Sequence, residues 1–185
     1  MIIYAYATQK DTEDGPIYQM REDEDIVRIC YFIAADGSPS VIYKGSVGFL
    51  HGNNAINVAS RMIGDQELYN KMNGMRIRIT EVKIDPKELN AGHEIEELIQ
   101  IANSMGGFYA SDGFPNIYKV WKSDDGMYKI TYAISAVSPV DGKKYTCNKK
   151  DKRMREQNAL ESIAFNVTGK SKPEKMFNPV LQEYH

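Results

Sequence analysis

Residues 117–137 read IYKVWKSDDGMYKITYAISAV, and this stretch decides the fold class. Two runs rich in aromatic and β-branched residues, 117–122 and 127–137, flank the turn sequence SDDG. Every second residue from 128 to 134 is aromatic or aliphatic, which is the alternation of a strand with one buried face. Because the connection between the two runs is short, we expect them to pair antiparallel as a hairpin.

The segments around this hairpin predict an α+β fold, with a mostly antiparallel sheet and helices packed on one face. We expect further strands at 1–9, 26–34, 41–49, 75–84 and 143–147, and helices at 55–63, 65–73, 86–105 and 152–168. The element order is therefore βββααβα followed by βββα. Within the strand at 75–84 the apolar alternation changes parity after Ile79, which predicts a bulge near Thr80 and Glu81.

A loop rich in Gly, Ser and Asp at 106–116 is the best internal boundary in the chain. It predicts an N-terminal α+β unit at 1–107 and a C-terminal βββα unit at 116–169 packed on it. A single domain over 1–185 is the alternative, since this length suits one domain as well.

Composition limits the class of protein. Hydrophobic residues make up 42% of the 185 residues, charged residues make up 26%, and the net charge is −2. These values are typical of a globular chain that buries a core, and they give no overall attraction to nucleic acid. No apolar stretch reaches the length of a membrane span, and the start of the sequence lacks a signal-peptide pattern. We therefore expect a cytoplasmic protein with no membrane attachment, in which Cys30 and Cys147 are reduced thiols.

The sequence shows no catalytic or metal-binding motif. His51, His93 and His185 match no zinc spacing. Asp36 follows a predicted strand, as the first carboxylate of a two-metal nuclease would, but the segments 53–64 and 75–79 hold no acidic residue to share the cations. We therefore expect a non-enzymatic protein without a metal or a cofactor.

A basic segment, residues 143–155, is the strongest local feature. Over 142–156 the sequence GKKYTCNKKDKRMRE holds seven cationic and two acidic residues. The cations that we expect to bind an anion are Lys143, Lys144, Lys149, Lys150, Lys152, Arg153 and Arg155. They crowd the start of the last predicted helix, where Asp151 is the expected cap and each exposed cation is disfavoured by roughly 0.3–1 kcal/mol. A phosphate bound by the helix amides and these side chains would explain the placement.

Residues 93–167 resemble a double-stranded-RNA-binding domain in the order of their predicted elements, which is helix, three strands and helix. The sequence KKDKR at 149–153 stands where that family has its basic cluster, before Asn158-Ala159-Leu160. The family's lysines at this position contact phosphates across the major groove of the duplex. The resemblance therefore implies a phosphate-facing helix end. The acidic turn at 123–126 stands where the family has its minor-groove loop.

Two hypotheses about function follow. The first is a non-enzymatic binding protein that engages duplex nucleic acid or a phosphate-bearing nucleotide through the basic segment. The second is a small inhibitor or adaptor of the phage type, which binds a host protein or sequesters a signalling nucleotide. The acidic residues at 22–25 and the basic segment would give such a protein two complementary patches for docking, or for self-association into a homo-oligomer.

Overall fold

The computed structural model describes residues 1–6, 11–12, 15–16, 20–49, 54–145 and 150–170. The elements of this described part, in chain order, are β1 (Ile2–Tyr6), β2 (Asp11–Thr12), β3 (Gly15–Pro16), α1 (Asp23–Ala34), β4 (Val41–Val47), α2 (Ala55–Leu68), β5 (Ile77–Ile84), a 3-10 helix (Pro86–Glu88), α3 (Glu94–Ser111), β6 (Asn116–Lys122), β7 (Tyr128–Ser135) and α4 (Lys150–Thr168). Five strands form one sheet in the order β1-β5-β7-β6-β4, and β2 pairs with β3 separately.

The hairpin expected at 117–137 is confirmed, and it forms the inner part of the sheet. β6 and β7 pair antiparallel over seven consecutive residue pairs. β5 pairs with the other side of β7, and β4 pairs with the other side of β6, both antiparallel. The α+β class and the antiparallel sheet are therefore confirmed, and strands from 1–107 and from 116–169 lie side by side in that sheet.

Helices cover both faces of the sheet, so the expected packing on one face is wrong. α3 and α4 pack on the face that carries Tyr132 and Ile134 of β7. α1 and α2 pack on the opposite face, which carries Ala133 of β7 and Ile117 of β6. The fold is thus built in three layers around two separate apolar cores.

β5 is buried on both faces, which explains the parity change in its sequence. Ile77 and Ile79 enter the core under α1 and α2, whereas Val82 and Ile84 enter the core under α3 and α4. The pairing of β5 with β1 and with β7 is continuous, so the bulge expected near Thr80 is wrong. The apolar residues change faces because each face has its own core to fill.

The segment 26–34 belongs to helix α1, and the strand expected there is wrong. Its buried residues recur at helical spacing: Ile26, Ile29, Cys30 and Ile33. Glu22 and Asp25 form a capping box, and the acidic first turn suits the positive end of the helix. This spacing and capping outweigh the β-branched composition. β4 consequently pairs with β6 and has no hairpin partner at 26–34.

Three glycines that were expected to end helices lie inside them. Gly64 lies within α2, so the two short helices expected on either side of it are one. Gly106 and Gly107 lie within α3, which continues to Ser111. A Cβ at Gly106 would stand 2.9 Å from Asn116 Oδ1 and from Val47 Cγ2. The missing side chain therefore allows α3 to lie close to β4 and β6.

α4 begins at Lys150, one residue before the expected cap Asp151, so that residue lies inside the helix. Leu160 is fully buried, and Ile163 and Val167 pack at the margin of the same core. Gly169 has a φ of 69° and follows the last helical residue, as expected.

The third strand expected after the hairpin is reduced to one isolated bridge in the described part of the chain. That bridge joins Val137 and Lys144 antiparallel, and Tyr145 N donates to the carbonyl of Ala136 at 2.8 Å. Residues 146–149, which include part of the expected strand, lie outside the described residues. The described residues 143–145 therefore run beside the end of β7 and lead toward the start of α4.

Candidate anion-binding cleft

Part of the basic segment lines a cleft between the end of α3 and the start of α4. The cleft has a volume of about 200 Å³. Among the described residues its lining comprises four cationic, three aromatic and two acidic residues: Lys143, Lys144, Lys152, Arg155, Phe108, Phe114, Tyr145, Asp112 and Glu156. Four of the seven cations singled out in the sequence therefore meet at one concave place, with two more positive than negative side chains around it.

Arg155 is fixed on the wall of this cleft by a bidentate ion pair. Its Nη2 donates to Asp112 Oδ1 at 2.9 Å, and its Nη1 donates to Asp112 Oδ2. The guanidinium carbon lies 4.6 Å from the centroid of the Phe108 ring, which places the cation over the aromatic face. The hydrogen bond from Arg155 to Asp112 raises the pKa of the arginine. This pair joins the start of α4 to the end of α3.

The three lysines of the cleft differ in their exposure. Lys143 and Lys152 are exposed, whereas Lys144 is half-buried. Lys144 Nζ donates to the carbonyl of Asn73, which ties residues 143–145 to the turn before β5. Burial lowers the pKa of Lys144, and neighbouring positive charges lower it further. Of the three lysines, Lys143 and Lys152 therefore present the most surface to solvent.

The other three expected cations are not part of the described lining. Lys149 lies outside the described residues. Lys150 is the first residue of α4, and Arg153 is half-buried on the same helix. The expectation that all seven cations share one anion site stays a prediction, and four of them line the cleft.

A buried pair of opposite charges adjoins the cleft. Arg78 of β5 is fully buried, and its guanidinium carbon lies 5.1 Å from the centroid of the Tyr145 ring. Glu156 of α4 lines the cleft with only 5% of its surface exposed. Tyr145 Oη donates to Glu156 Oε1. Burial raises the pKa of Glu156, and the positive charge of Arg78 opposes that rise.

Burying such a pair is costly, because both charges lose their water shell. A protein with apolar residues of similar size in their place is often equally stable. Perturbed, buried ionisable groups beside a cleft are more frequent at functional sites than elsewhere. The pair therefore identifies this cleft, among the surfaces that the structure describes, as the best candidate site.

Aromatic rings hold Tyr145 in position against Glu156. Tyr109 is buried and packs edge-on against Tyr132 and Tyr145, at centroid distances of 5.6 Å and 6.1 Å. Phe114 meets Tyr145 at 4.8 Å and an interplanar angle of 88°. Burial and the adjacent charge of Glu156 raise the pKa of Tyr109 well above its usual value. The hydroxyl that reaches Glu156 is thus presented by a tightly packed aromatic wall.

Sequence reasoning found the cations and missed Arg78, Glu156 and the aromatic wall. Arg78 alternates with apolar residues of β5, which is the usual position of a solvent-facing side chain. The parity change after Ile79 was the available signal, because a strand with apolar residues on both faces is buried on both. Glu156 entered the sequence argument only as a charge that opposes the basic segment.

Two acidic residues of the patch that the sequence suggested for docking, Asp23 and Asp25, have partners inside the fold. Asp23 Oδ1 accepts a hydrogen bond from Arg76 Nη2 at 2.5 Å. Asp25 Oδ2 accepts from the amides of Arg21 and Glu22 at 3.0 Å, at the start of α1. These carboxylates thus stabilise the helix and its attachment to the residue before β5.

Asp36 also has a structural role. Its Oδ2 accepts from Lys119 Nζ at 2.8 Å, and its Oδ1 accepts from Ser38 N at 2.9 Å. Lys119 is 3% exposed, donates to the carbonyl of Phe32 and lies over the Phe32 ring. The carboxylate therefore neutralises a buried cation at the end of α1.

Within the described residues, no group of three or more His, Cys, Asp or Glu side chains is placed to hold a metal ion. Cys30 is a buried thiol in α1, and burial raises its pKa to about 12. His93 precedes α3, and its Nδ1 lies 3.8 Å from Glu96 Oε2. His51, Cys147 and His185 lie outside the described residues.

In the part of the chain that the structure covers, no helix has the length and apolar character of a membrane span.

Comparison of the chain with protein-family models, with curated proteins and with solved structures gives no significant match.

Proposed function

We propose that this protein binds a phosphate-bearing nucleotide in the cleft between α3 and α4, without catalysing a reaction. The observation that carries the proposal is the convergence of Lys143, Lys144, Lys152 and Arg155 on one concave, aromatic-lined site. Cationic side chains form strong, charge-assisted hydrogen bonds with phosphate oxygens. Phosphate binding would also offset the unfavourable placement of cations at the start of α4.

The aromatic residues favour a nucleotide over a bare phosphate. Phe108, Phe114 and Tyr145 line the same cleft as the cations, and aromatic side chains pack well against nucleobases. A volume of about 200 Å³ is below the roughly 300–1,000 Å³ of sites that enclose a drug-sized ligand. The cleft would therefore take the phosphate end of the ligand, while part of the nucleoside rests on its rim.

The placement of the cations favours a small ligand over a duplex. Contact with a duplex uses cations that point outward over a long surface. Arg155 is instead turned toward Asp112, and Lys144 toward the carbonyl of Asn73. The duplex-RNA expectation remains a proposal that competes with the nucleotide, and electrophoretic mobility shifts with duplex RNA and duplex DNA test it.

Isothermal titration calorimetry with AMP, ADP and ATP at two salt concentrations tests the nucleotide proposal. We expect binding that weakens as salt rises, because the contacts are ionic. The double variant Lys143→Ala/Lys152→Ala should bind about tenfold more weakly, since it loses two charged hydrogen-bond donors.

The matched control is Lys87→Ala/Lys122→Ala, which removes two exposed lysines outside the cleft lining and changes the net charge equally. Its nucleotide affinity should stay at the wild-type value. An equal loss of nucleotide affinity in both double variants would show that only the net charge matters. The absence of a binding signal in calorimetry with any of the nucleotides would contradict the proposal.

A second candidate function, binding of a host protein, is favoured by a different observation. Leu68 and Val140 are apolar and are 73% and 83% exposed. Tyr69 Oη lies 3.0 Å from the carbonyl oxygens of Pro139 and Val140, to which its single O–H can donate, so the end of α2 and the 139–142 turn lie together. Exposed apolar residues in one place are frequent in protein interfaces. A pull-down from bacterial lysate, with and without nuclease, tests the binding of a host protein. A partner protein that is retained after nuclease treatment, and that the variant Leu68→Ser/Val140→Ser no longer retains, supports it.

A further inference from the structure

Glu156 is an unusual group to find in a cleft lined by cations. It is the more deeply buried of the two carboxylates in the described lining, and it is held between groups from several elements. Arg78 faces it from β5, Tyr109 from α3, and Tyr145 from the segment before α4, while Arg155 is its neighbour on α4. Lys143, Lys144, Lys152 and Asp112 complete the charged surroundings of the cleft.

An ionised carboxylate only accepts hydrogen bonds, and it has about four acceptor positions on its two oxygens. The Tyr145 hydroxyl uses one of these positions on Oε1. A phosphate oxygen that approaches Glu156 would therefore be repelled, unless a proton lies between the two groups.

Phosphates differ in whether they carry that proton. A phosphate monoester has a second pKa of about 6, so its protonated form is accessible near neutral pH. A phosphodiester and a sulfate ion are fully ionised in this range and bring no proton. With a diester or sulfate, that proton would have to reside on Glu156 alone, whereas a monoester oxygen is basic enough to share it.

We infer that Glu156 is a specificity-determining residue, which makes the cleft select a terminal phosphate monoester over a phosphodiester or sulfate. The inference rests on the proposed function, because it assumes that the phosphate end of the ligand enters the cleft. One proton is shared between Glu156 and a phosphate oxygen in the complex. The selected ligand is thus a mononucleotide or another monoester, and the backbone of a nucleic acid is disfavoured.

Calorimetric titration of the full chain with AMP and with the cyclic monophosphate of the same nucleoside tests this inference. The two probes share the base and the sugar, and they differ in that the phosphate is a monoester in one and a diester in the other. We expect the wild-type protein to bind AMP at least about tenfold more tightly than the cyclic probe at pH 7. Inorganic phosphate and sulfate, compared at equal ionic strength, should show the same order.

The variant Glu156→Gln replaces the acceptor with an amide that can donate. Its affinity for the cyclic probe should rise, and the preference for AMP should fall to less than about threefold. As a readout that does not depend on this variant folding, wild-type titrations at pH 8 in buffers of different ionisation enthalpy should show proton uptake with AMP. The uptake should approach one proton for each bound nucleotide.

The outcomes separate the two proposals. Equal affinity for AMP and the cyclic probe, or AMP binding at pH 8 without proton uptake, would overturn the role of Glu156 and leave nucleotide binding in place. Failure of every nucleotide to bind would overturn the proposed function itself, and the inference with it.

Discussion

Arg155 and Asp112 form a bidentate ion pair that connects the first turns of α4 to the end of α3. The carboxylate holds a cation of the cleft in one orientation, and it also neutralises part of the positive charge there. One residue pair thus contributes to the packing of α4 and lowers the attraction of the cleft for anions.

Asp112→Asn should tighten nucleotide binding about two- to fivefold, because it removes the charge that opposes Arg155 and keeps the shape of the side chain. The same change should lower the free energy of unfolding by no more than about 1 kcal/mol, since both groups are partly exposed. Calorimetry and urea denaturation measure the two effects. Asp124→Asn, in the exposed turn of the hairpin, is the charge-matched control. An unchanged affinity in Asp112→Asn would contradict the placement of the anion beside Arg155.

Replacing each of two neighbouring glycines in α3 by alanine should change the free energy of unfolding in opposite directions. A Cβ at Gly107 would meet nothing within 4 Å, so Gly107→Ala should stabilise the protein by up to about 1 kcal/mol through helix propensity. A Cβ at Gly106 would stand 2.9 Å from Asn116 Oδ1 and Val47 Cγ2. Gly106→Ala should therefore destabilise the protein by about 1–3 kcal/mol through overpacking. Urea denaturation of the two variants decides this, and a gain of stability in both would contradict the close contact.

The hairpin at the centre of the sheet could be predicted from sequence because its signals are local. Alternation in β7 and a short turn fix the pairing before any other element is considered. The strand expected at 26–34 is wrong because composition and spacing disagree there. Ile26, Ile29 and Ile33 have strand-like side chains, but their spacing and the acidic cap belong to a helix.

The cleft could be predicted only in part, because its components come from distant parts of the chain. The cations are adjacent in sequence, so their number and sign were visible. Arg78 lies on β5 and Glu156 lies on α4, and the charge of Arg78 acts on Glu156 only because the folded chain brings the two elements near each other. A long-range meeting of this kind depends on strand order, which single-segment patterns do not specify.

Asp36→Asn should destabilise the protein at neutral pH by about 3 kcal/mol, because it leaves the buried ammonium of Lys119 without its ion-pair partner. Burial acts to raise the pKa of Asp36, but the hydrogen bonds and charge of Lys119 and the Ser38 amide outweigh it and lower that pKa. A carboxyl whose pKa is lower in the folded state stabilises the fold above its unfolded pKa of about 3.9. This stabilisation is lost as the pH falls through the folded value.

The unfolding free energies of the wild-type protein and of Asp36→Asn should therefore converge as the pH falls below about 4. Urea denaturation at a series of pH values from neutral to acid measures this. Asp124→Asn again serves as the control, and parallel profiles for wild type and Asp36→Asn would show that the ion pair contributes nothing to stability.

Arg78→Met and Glu156→Gln should each destabilise the protein by about 3 kcal/mol, since each leaves one partner of a buried pair uncompensated. In the double variant, the free energy of unfolding should fall by about 1–3 kcal/mol less than the sum of the two single losses. The reason is that neither buried charge of the pair remains. Arg78→Met combined with Lys87→Ala should be additive within about 0.5 kcal/mol.

The pH dependence gives a second, independent measure of the same pair. Burial raises the pKa of Glu156, and Arg78 opposes that rise, so Arg78→Met should raise this pKa further. A carboxyl whose pKa is raised in the folded state lowers the free energy of unfolding of the protein as the pH rises from the unfolded pKa of about 4.3 toward the folded pKa. Arg78→Met should therefore lose stability with rising pH over a wider range than the wild type, and the double variant should lack this loss. If the two losses of unfolding free energy are additive and the pH profile is unaltered, Arg78 and Glu156 do not stabilise each other. Other groups would then compensate the two buried charges.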